Sequence, residues 1–286
     1  MKTEMLVLIW LAAGNLSAQP MAVHSDADRQ IFREYLHAIE PYRNTRRETL
    51  LEKTALFFLE KPYMSHTLEG GHKEQLTANL QAFDCTTFVE TVIALTLTAA
   101  ADAPSFNTFL DELQALRYRD GVIAGYASRL HYATDWLFEN EQRDLLHNIS
   151  ASLGGVRQEK PLRFMSAHRD AYIRLKEDDA MLTRIIDMED RISRRGGFYY
   201  LPKELIGVRE KDIPHMSVVL FTTDIAGLDV THMGFSFKRG EELTFLHASS
   251  AAMKVVADEQ TISEYAREQG SCTGIVVSVI NPAYSK

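Results

Sequence analysis

Apolar positions follow two rhythms along this chain, a helical one in the first half and a two-residue one in the last quarter. Ile31, Phe32, Tyr35 and Leu36 share one face of a predicted amphipathic helix over 26–39, which Pro41 ends. Leu50, Leu51, Ala55, Phe58 and Leu59 mark a second helix, so residues 25–60 read as helical scaffold. Phe88, Val89, Val92, Ile93 and Leu97 place another apolar stripe on a helix over 84–100. Beyond the break at Pro104, Phe106, Phe109, Leu110, Leu113 and Leu116 define one more. Residues 117–202 show little periodicity, and Arg194-Arg195-Gly196-Gly197-Phe198-Tyr199-Tyr200 reads as a loop or turn. The last quarter changes period: 216–222 is a continuous apolar run, 231–238 and 243–248 alternate, and 274–280 is apolar again. Helices followed by strands predict an α+β chain, with an antiparallel sheet over 212–281 and a large insertion over 102–211.

With 286 residues, 45% of them hydrophobic and 24% charged, the chain can bury a sizeable core. A net charge of −8 without any basic stripe argues against nucleic acid as a partner. Lys2, the apolar run 5–13 and Ser17-Ala18-Gln19 have the layout of a secretory signal cleaved after Ala18, which predicts an exported, periplasmic protein of residues 19–286. A buried N-terminal helix is the alternative. The run is too short to span a bilayer and no cysteine follows it, so no stable membrane anchor is expected.

Cys85 stands where the third helix begins. Asp84 can serve as N-cap, or Thr87 and Glu90 can form a capping box just beyond the cysteine. In either case the free N–H groups and the macrodipole of a helix start favour thiolate over thiol, as a nucleophilic cysteine requires. The plainer reading is a small buried residue in a helical core, and Cys85 and Cys272 could also form a disulfide.

A nucleophile needs a base, and the alternating strands offer one. His232, Gly234 and Ser236 fall on one face of the 231–238 strand, and Leu243, Phe245 and His247 share a face of the next. A two-residue loop at Arg239-Gly240 sets His232 opposite His247, and a four-residue loop shifts the register by two while keeping both on one face. One imidazole can then take the thiol proton while the other orients it. A zinc site is the rival, but HExxH and CxxC spacings are missing. Arg117-Tyr118-Arg119, Ser128-Arg129-Leu130-His131-Tyr132 and Asp135-Trp136 mix aromatic and charged residues, suiting either a sugar-peptide surface or a solvated excursion.

Asp84-Cys85 at a helix start, His232-Met233-Gly234-Phe235 and Leu246-His247-Ala248-Ser249 together resemble the NlpC-type branch of papain-like cysteine peptidases. Pro62-Tyr63, Thr67-Leu68-Glu69, Asp84-Cys85-Thr86-Thr87-Phe88-Val89-Glu90 and Ser128-Arg129-Leu130-His131-Tyr132 are similar to its N-acetylmuramoyl-L-alanine amidase-like family, over most of the chain after about residue 45. The resemblance implies Cys85 as nucleophile, His232 as base and His247 as its orienter, acting without metal or cofactor. It implies the amide between N-acetylmuramic acid and L-alanine as substrate, in small 1,6-anhydro muropeptides released from peptidoglycan. Tyr63, Asp84, Thr86, Arg129, Tyr132, Asp135 and Trp136 are the residues expected to hold the oxyanion or the substrate, in a monomeric enzyme. A D-glutamyl endopeptidase and an inactive wall-binding module are the alternatives.

Overall fold

A computed structural model describes residues 22–71 and 73–284. The secretory signal expected over 1–18 lies outside the described residues. The chain begins with α1 (Asp26–Ile39), whose Ser25 and Asp28 form a capping box, and α2 (Arg47–Phe57). Asp28 also accepts the backbone N–H of Leu80 at 2.8 Å, tying the helix start to the segment that leads into α3 (Cys85–Ala100). Between Phe88 and Ala99 every residue of α3 is buried, as expected of a helix apolar on all sides. It packs on α2, on α4 (Phe106–Arg117) and on the sheet. Thr96 and Thr98 survive in this core because their hydroxyls donate to the carbonyls of Val92 and Ala94, one turn back.

Residues 102–211 continue with α5 (Ala133–Gln142), β1 (Leu146–Asn148), β2 (Val156–Gln158), α6 (Phe164–Ala167), α7 (Asp179–Arg195), β3 (Phe198–Pro202) and α8 (Lys203–Arg209). The aperiodic reading of 117–202 is corrected here. Ile185, Met188 and Ile192 form a narrow apolar stripe on α7, seated on a local core with Tyr126, Tyr132, Leu162 and Met165. The predicted loop at 194–200 is instead the end of α7, terminated by Gly196 at φ +98°, followed by a strand.

The last part supplies β4 (Val218–Thr223), β5 (Val230–Arg239), β6 (Glu242–Ser249), β7 (Lys254–Ala257), α9 (Ile262–Glu268) and β8 (Cys272–Ile280). Together with β1, β2 and β3 these strands form one antiparallel eight-stranded sheet in the order β2-β3-β8-β4-β5-β6-β7, with β1 also on β8. Alternate residues serve two cores: Leu220, Phe235, Leu246 and Val276 meet α3, while Val219, Phe221, Phe245 and Ile275 lie with Ile206 of α8 and Ile262 of α9. Burial on both faces explains why β4 reads as an unbroken apolar run. The result is a mixed helix and antiparallel sheet fold in which α3 runs beneath β5. No helix among the described residues is long and apolar enough to cross a membrane.

Candidate active site

Asp84 is the N-cap of α3. Its Oδ1 accepts the backbone N–H and the hydroxyl of Thr87, both at 2.8 Å, and Thr87 Oγ1 in turn accepts the Asp84 N–H at 3.0 Å. Glu90 takes no part in this cap, and its carboxylate lies 2.7 Å from Arg117 in a buried ion pair. Cys85 is therefore the first residue of the helix, half-buried and, like Cys272, a free thiol. The surroundings of the sulfur oppose the expected thiolate. Burial, and next to it the Asp84 carboxylate, push the Cys85 thiol up to about 11, while the Met233 N–H and the Thr86 hydroxyl and N–H pull the other way. Desolvation opposes the helix start.

The histidine parity holds but the register is shifted. The hairpin turns at Gly240-Glu241, with Arg239 opposite Glu242, so His232 and His247 are offset along neighbouring strands instead of directly opposed. They still meet, at 2.7 Å between His232 Nε2 and His247 Nδ1. Gly234 makes this approach feasible: a Cβ there would lie 2.6 Å from the Leu246 carbonyl and 2.9 Å from the His247 Cβ. At His232 the β4–β5 register slips, Phe221 pairing with His232 but Thr222 with Val230, a bulge that re-aims the strand end.

Beyond His247 stands Asp258, one residue past β7, with Oδ2 3.1 Å from His247 Nε2. A carboxylate only accepts, so His247 carries its proton on Nε2 and presents Nδ1 as acceptor. His232 then donates its Nε2–H, and its Nδ1 keeps the lone pair of a base. Burial, helped by the neighbouring His247, holds His232 down to about 3. Burial also lowers His247, against the upward pull of Asp258. Phe245 stacks on His247 at 4.1 Å and Tyr265 flanks both imidazoles, which fixes the rings. The sequence reading missed Asp258, whose only signal is its place after a strand too short to stand out.

Cys85 and His232 line one small cleft, about 90 Å³, whose other walls include Thr86, His131, Trp136 and Asp229. Tyr63 lies close enough for the Cys85 and Asp84 charges to help raise its hydroxyl, after burial itself. Of the residues expected to contact substrate, Thr86 and Trp136 reach the cleft. Arg129, Tyr132 and Asp135 do not line it. Arg129 pairs with Glu69 at 2.6 Å, the Tyr132 hydroxyl donates to Glu189 at 2.7 Å, and Asp135 lies fully buried between Arg119 and Arg195. Buried polar and charged groups demand partners, and these three find theirs inside the 102–211 segment or in the loop that carries Glu69. Asp229, unforeseen from the sequence, accepts the N–H and hydroxyl of Thr134, both at 2.7 Å, and so caps α5 from the residue just before the strand that carries His232. No three His, Cys, Asp or Glu side chains among the described residues are grouped so as to hold a metal ion.

The family model for AmiA-like, N-acetylmuramoyl-L-alanine amidase-like proteins matches residues 53–275, a span that contains Cys85, both histidines and Asp258. The chain belongs to this amidase-like family. Two crystal structures of an N-acetylmuramoyl-L-alanine amidase from Bacteroides uniformis are similar to it. The first is 33% identical with a TM-score of 0.77, covering 81% of this chain and 98% of its own. The second is 32% identical with a TM-score of 0.75, covering 82% and 99%. A structure from Bacteroides fragilis named as a putative xylanase is 34% identical over 79% of this amidase-like chain and 99% of its own, with a TM-score of 0.75. No curated protein matches.

Proposed function

We propose that this amidase-like protein is an exported cysteine amidase of the NlpC-type papain-like kind, which hydrolyses the N-acetylmuramoyl-L-alanine bond of 1,6-anhydro muropeptides. The observation that carries the reading is the His232–His247–Asp258 chain, which shares a cleft with the Cys85 thiol. The same reading takes residues 19–286 as one domain with 102–211 inserted, acting in the periplasm as a monomer.

His232 Nδ1 takes the Cys85 proton as Sγ attacks the lactyl carbonyl carbon, and the backbone N–H groups at the start of α3, with the Tyr63 hydroxyl, donate to the oxyanion. When the intermediate collapses the C–N bond breaks, and the proton on His232 passes to the leaving L-alanine nitrogen. Water, deprotonated by His232, then cleaves the thioester to the lactyl carboxylate and restores the thiol.

Asp84 is held in its cap, so it is not required to bind a free amine as an endopeptidase would need. A xylanase mechanism calls for two carboxylates across a sugar, whereas Asp229 is the one carboxylate among the residues lining this cleft.

The pH profile has a definite sign. Activity is lost as pH falls through the His232 value, because a protonated imidazole cannot accept the thiol proton, and burial puts that value near 3. The kcat/KM is therefore expected to stay level from about pH 5 to about pH 9, where an unperturbed imidazole would halve it near pH 6.5. A midpoint at 6.5 in a stopped assay would contradict a buried neutral base. The activity itself is tested by product masses from GlcNAc-1,6-anhydro-MurNAc-tetrapeptide. Intact tetrapeptide with free anhydro-disaccharide is expected, and loss of only the distal part of the peptide would make the protein an endopeptidase.

A further inference from the structure

A second imidazole stands in the same cleft, outside the chain that ends on Asp258. His131 lines that cleft together with Cys85 and His232, on the segment between Arg129 and α5. Its Nε2 lies 2.8 Å from the Tyr126 carbonyl oxygen, and a carbonyl only accepts, so the Nε2 bears the proton. Its Nδ1 is then an acceptor. No hydrogen bond to that nitrogen is made among the described residues, and it is not one of the buried atoms sealed off without a partner. The ring is fixed in place, packed on Tyr126 at 4.4 Å, while Tyr126 itself lies under the Arg129 and Arg174 guanidiniums. Burial, and next to it the Arg129 charge, hold His131 down to about 3, so it stays a neutral acceptor in ordinary buffers.

The size of the cleft decides what that acceptor meets. About 90 Å³ admits a small group and neither a sugar nor a peptide, so on the amidase reading the residues that line it, His131 among them, surround the reacting bond. A scissile amide differs from an ester at one atom there, an N–H donor in place of an ether-like oxygen acceptor. Resting on the amidase reading above, we propose that His131 is a substrate-contacting specificity residue whose Nδ1 accepts the N–H of the scissile amide, selecting amides over esters. His232 protonates the same nitrogen from within the same cleft, so both imidazoles act on the leaving group.

The test compares the muramoyl-L-alanine amide with the ester analogue in which L-lactate replaces L-alanine, on the wild-type protein, His131→Phe and His131→Gln. The kcat/KM for the amide is expected to fall about 10- to 100-fold in His131→Phe, the loss for an unpaired buried donor, while the ester rate stays within about threefold. His131→Gln, which keeps a donor for the Tyr126 carbonyl and an acceptor for the substrate, is expected to recover most of the amide rate. Equal losses on both substrates, with slower alkylation of Cys85 by iodoacetamide, would overturn the proposal and make His131 a base for the thiol. An unchanged amide-to-ester ratio in His131→Phe would overturn it while leaving the amidase reading intact. Failure of the wild-type protein on both compounds would remove the reading and this inference together.

Discussion

Replacing Cys85 by alanine is expected to lower kcat by about 10⁴-fold or more while the melting temperature stays within about 2 °C. The two halves of this expectation come from different parts of the site. The thiol supplies the nucleophile, and no neighbouring group replaces it: Thr86 is a hydroxyl without a base of its own, 4.0 Å away. Structurally the same thiol does little. It is half-buried at the first helical position, where the cap is closed by Asp84 and Thr87 and where alanine is a good helix former. Rate assays and calorimetry on Cys85→Ala and Cys85→Ser check both halves. A variant retaining a tenth of the wild-type rate would show that the nucleophile lies elsewhere.

The largest effect on stability is expected one turn further along α3. Glu90 and Arg117 are each 2% exposed and meet at 2.7 Å, and Arg117 Nη1 also donates to the Thr77 carbonyl at 2.6 Å. The pair joins α3, α4 and the segment before the cysteine. Glu90→Ala leaves a guanidinium buried without its counter-charge, at a cost of about 3–5 kcal/mol, which lowers the melting temperature by roughly 6–20 °C for a chain of this size. Replacing both residues by apolar ones, Glu90→Leu with Arg117→Met, is expected to recover most of that loss, because the desolvation of both charges disappears with their attraction. A Glu90→Ala protein melting with the wild type would mean that water reaches Arg117.

These two sites also mark what a sequence can reveal. The boundaries of α1 were legible to the residue, because the amphipathic stripe and Pro41 are local signals. The pairing of His232 with His247 was legible too, since strand parity survives a register shift of two. The shift itself was not, because it depends on which two residues turn the hairpin. The burial that pushes the Cys85 thiol up was not legible for a related reason: a helix start is local, whereas Met233, whose N–H meets the thiol, lies far along the chain. Of the two caps open to the sequence, Asp84 is the one formed, and the partner of Glu90, 27 residues away, could not be seen. The α7 stripe of Ile185, Met188 and Ile192 has proper helical spacing, but it is one residue wide and set among charges, so it did not stand out. Arg129, Tyr132 and Asp135 carried groups suited to substrate, and only tertiary packing shows them engaged with partners elsewhere in the chain.

The claim that Cys85 attacks the muramoyl lactyl carbonyl is tested most directly by mass spectrometry of the protein, acid-quenched during turnover of GlcNAc-1,6-anhydro-MurNAc-tetrapeptide. The account predicts a transient mass increase equal to the anhydro-disaccharide acyl group, lost on hydroxylamine treatment and located on the peptide that contains Cys85. An adduct that includes stem-peptide residues, an adduct on any other side chain, or turnover with no adduct in Cys85-intact protein under rapid quench would contradict it.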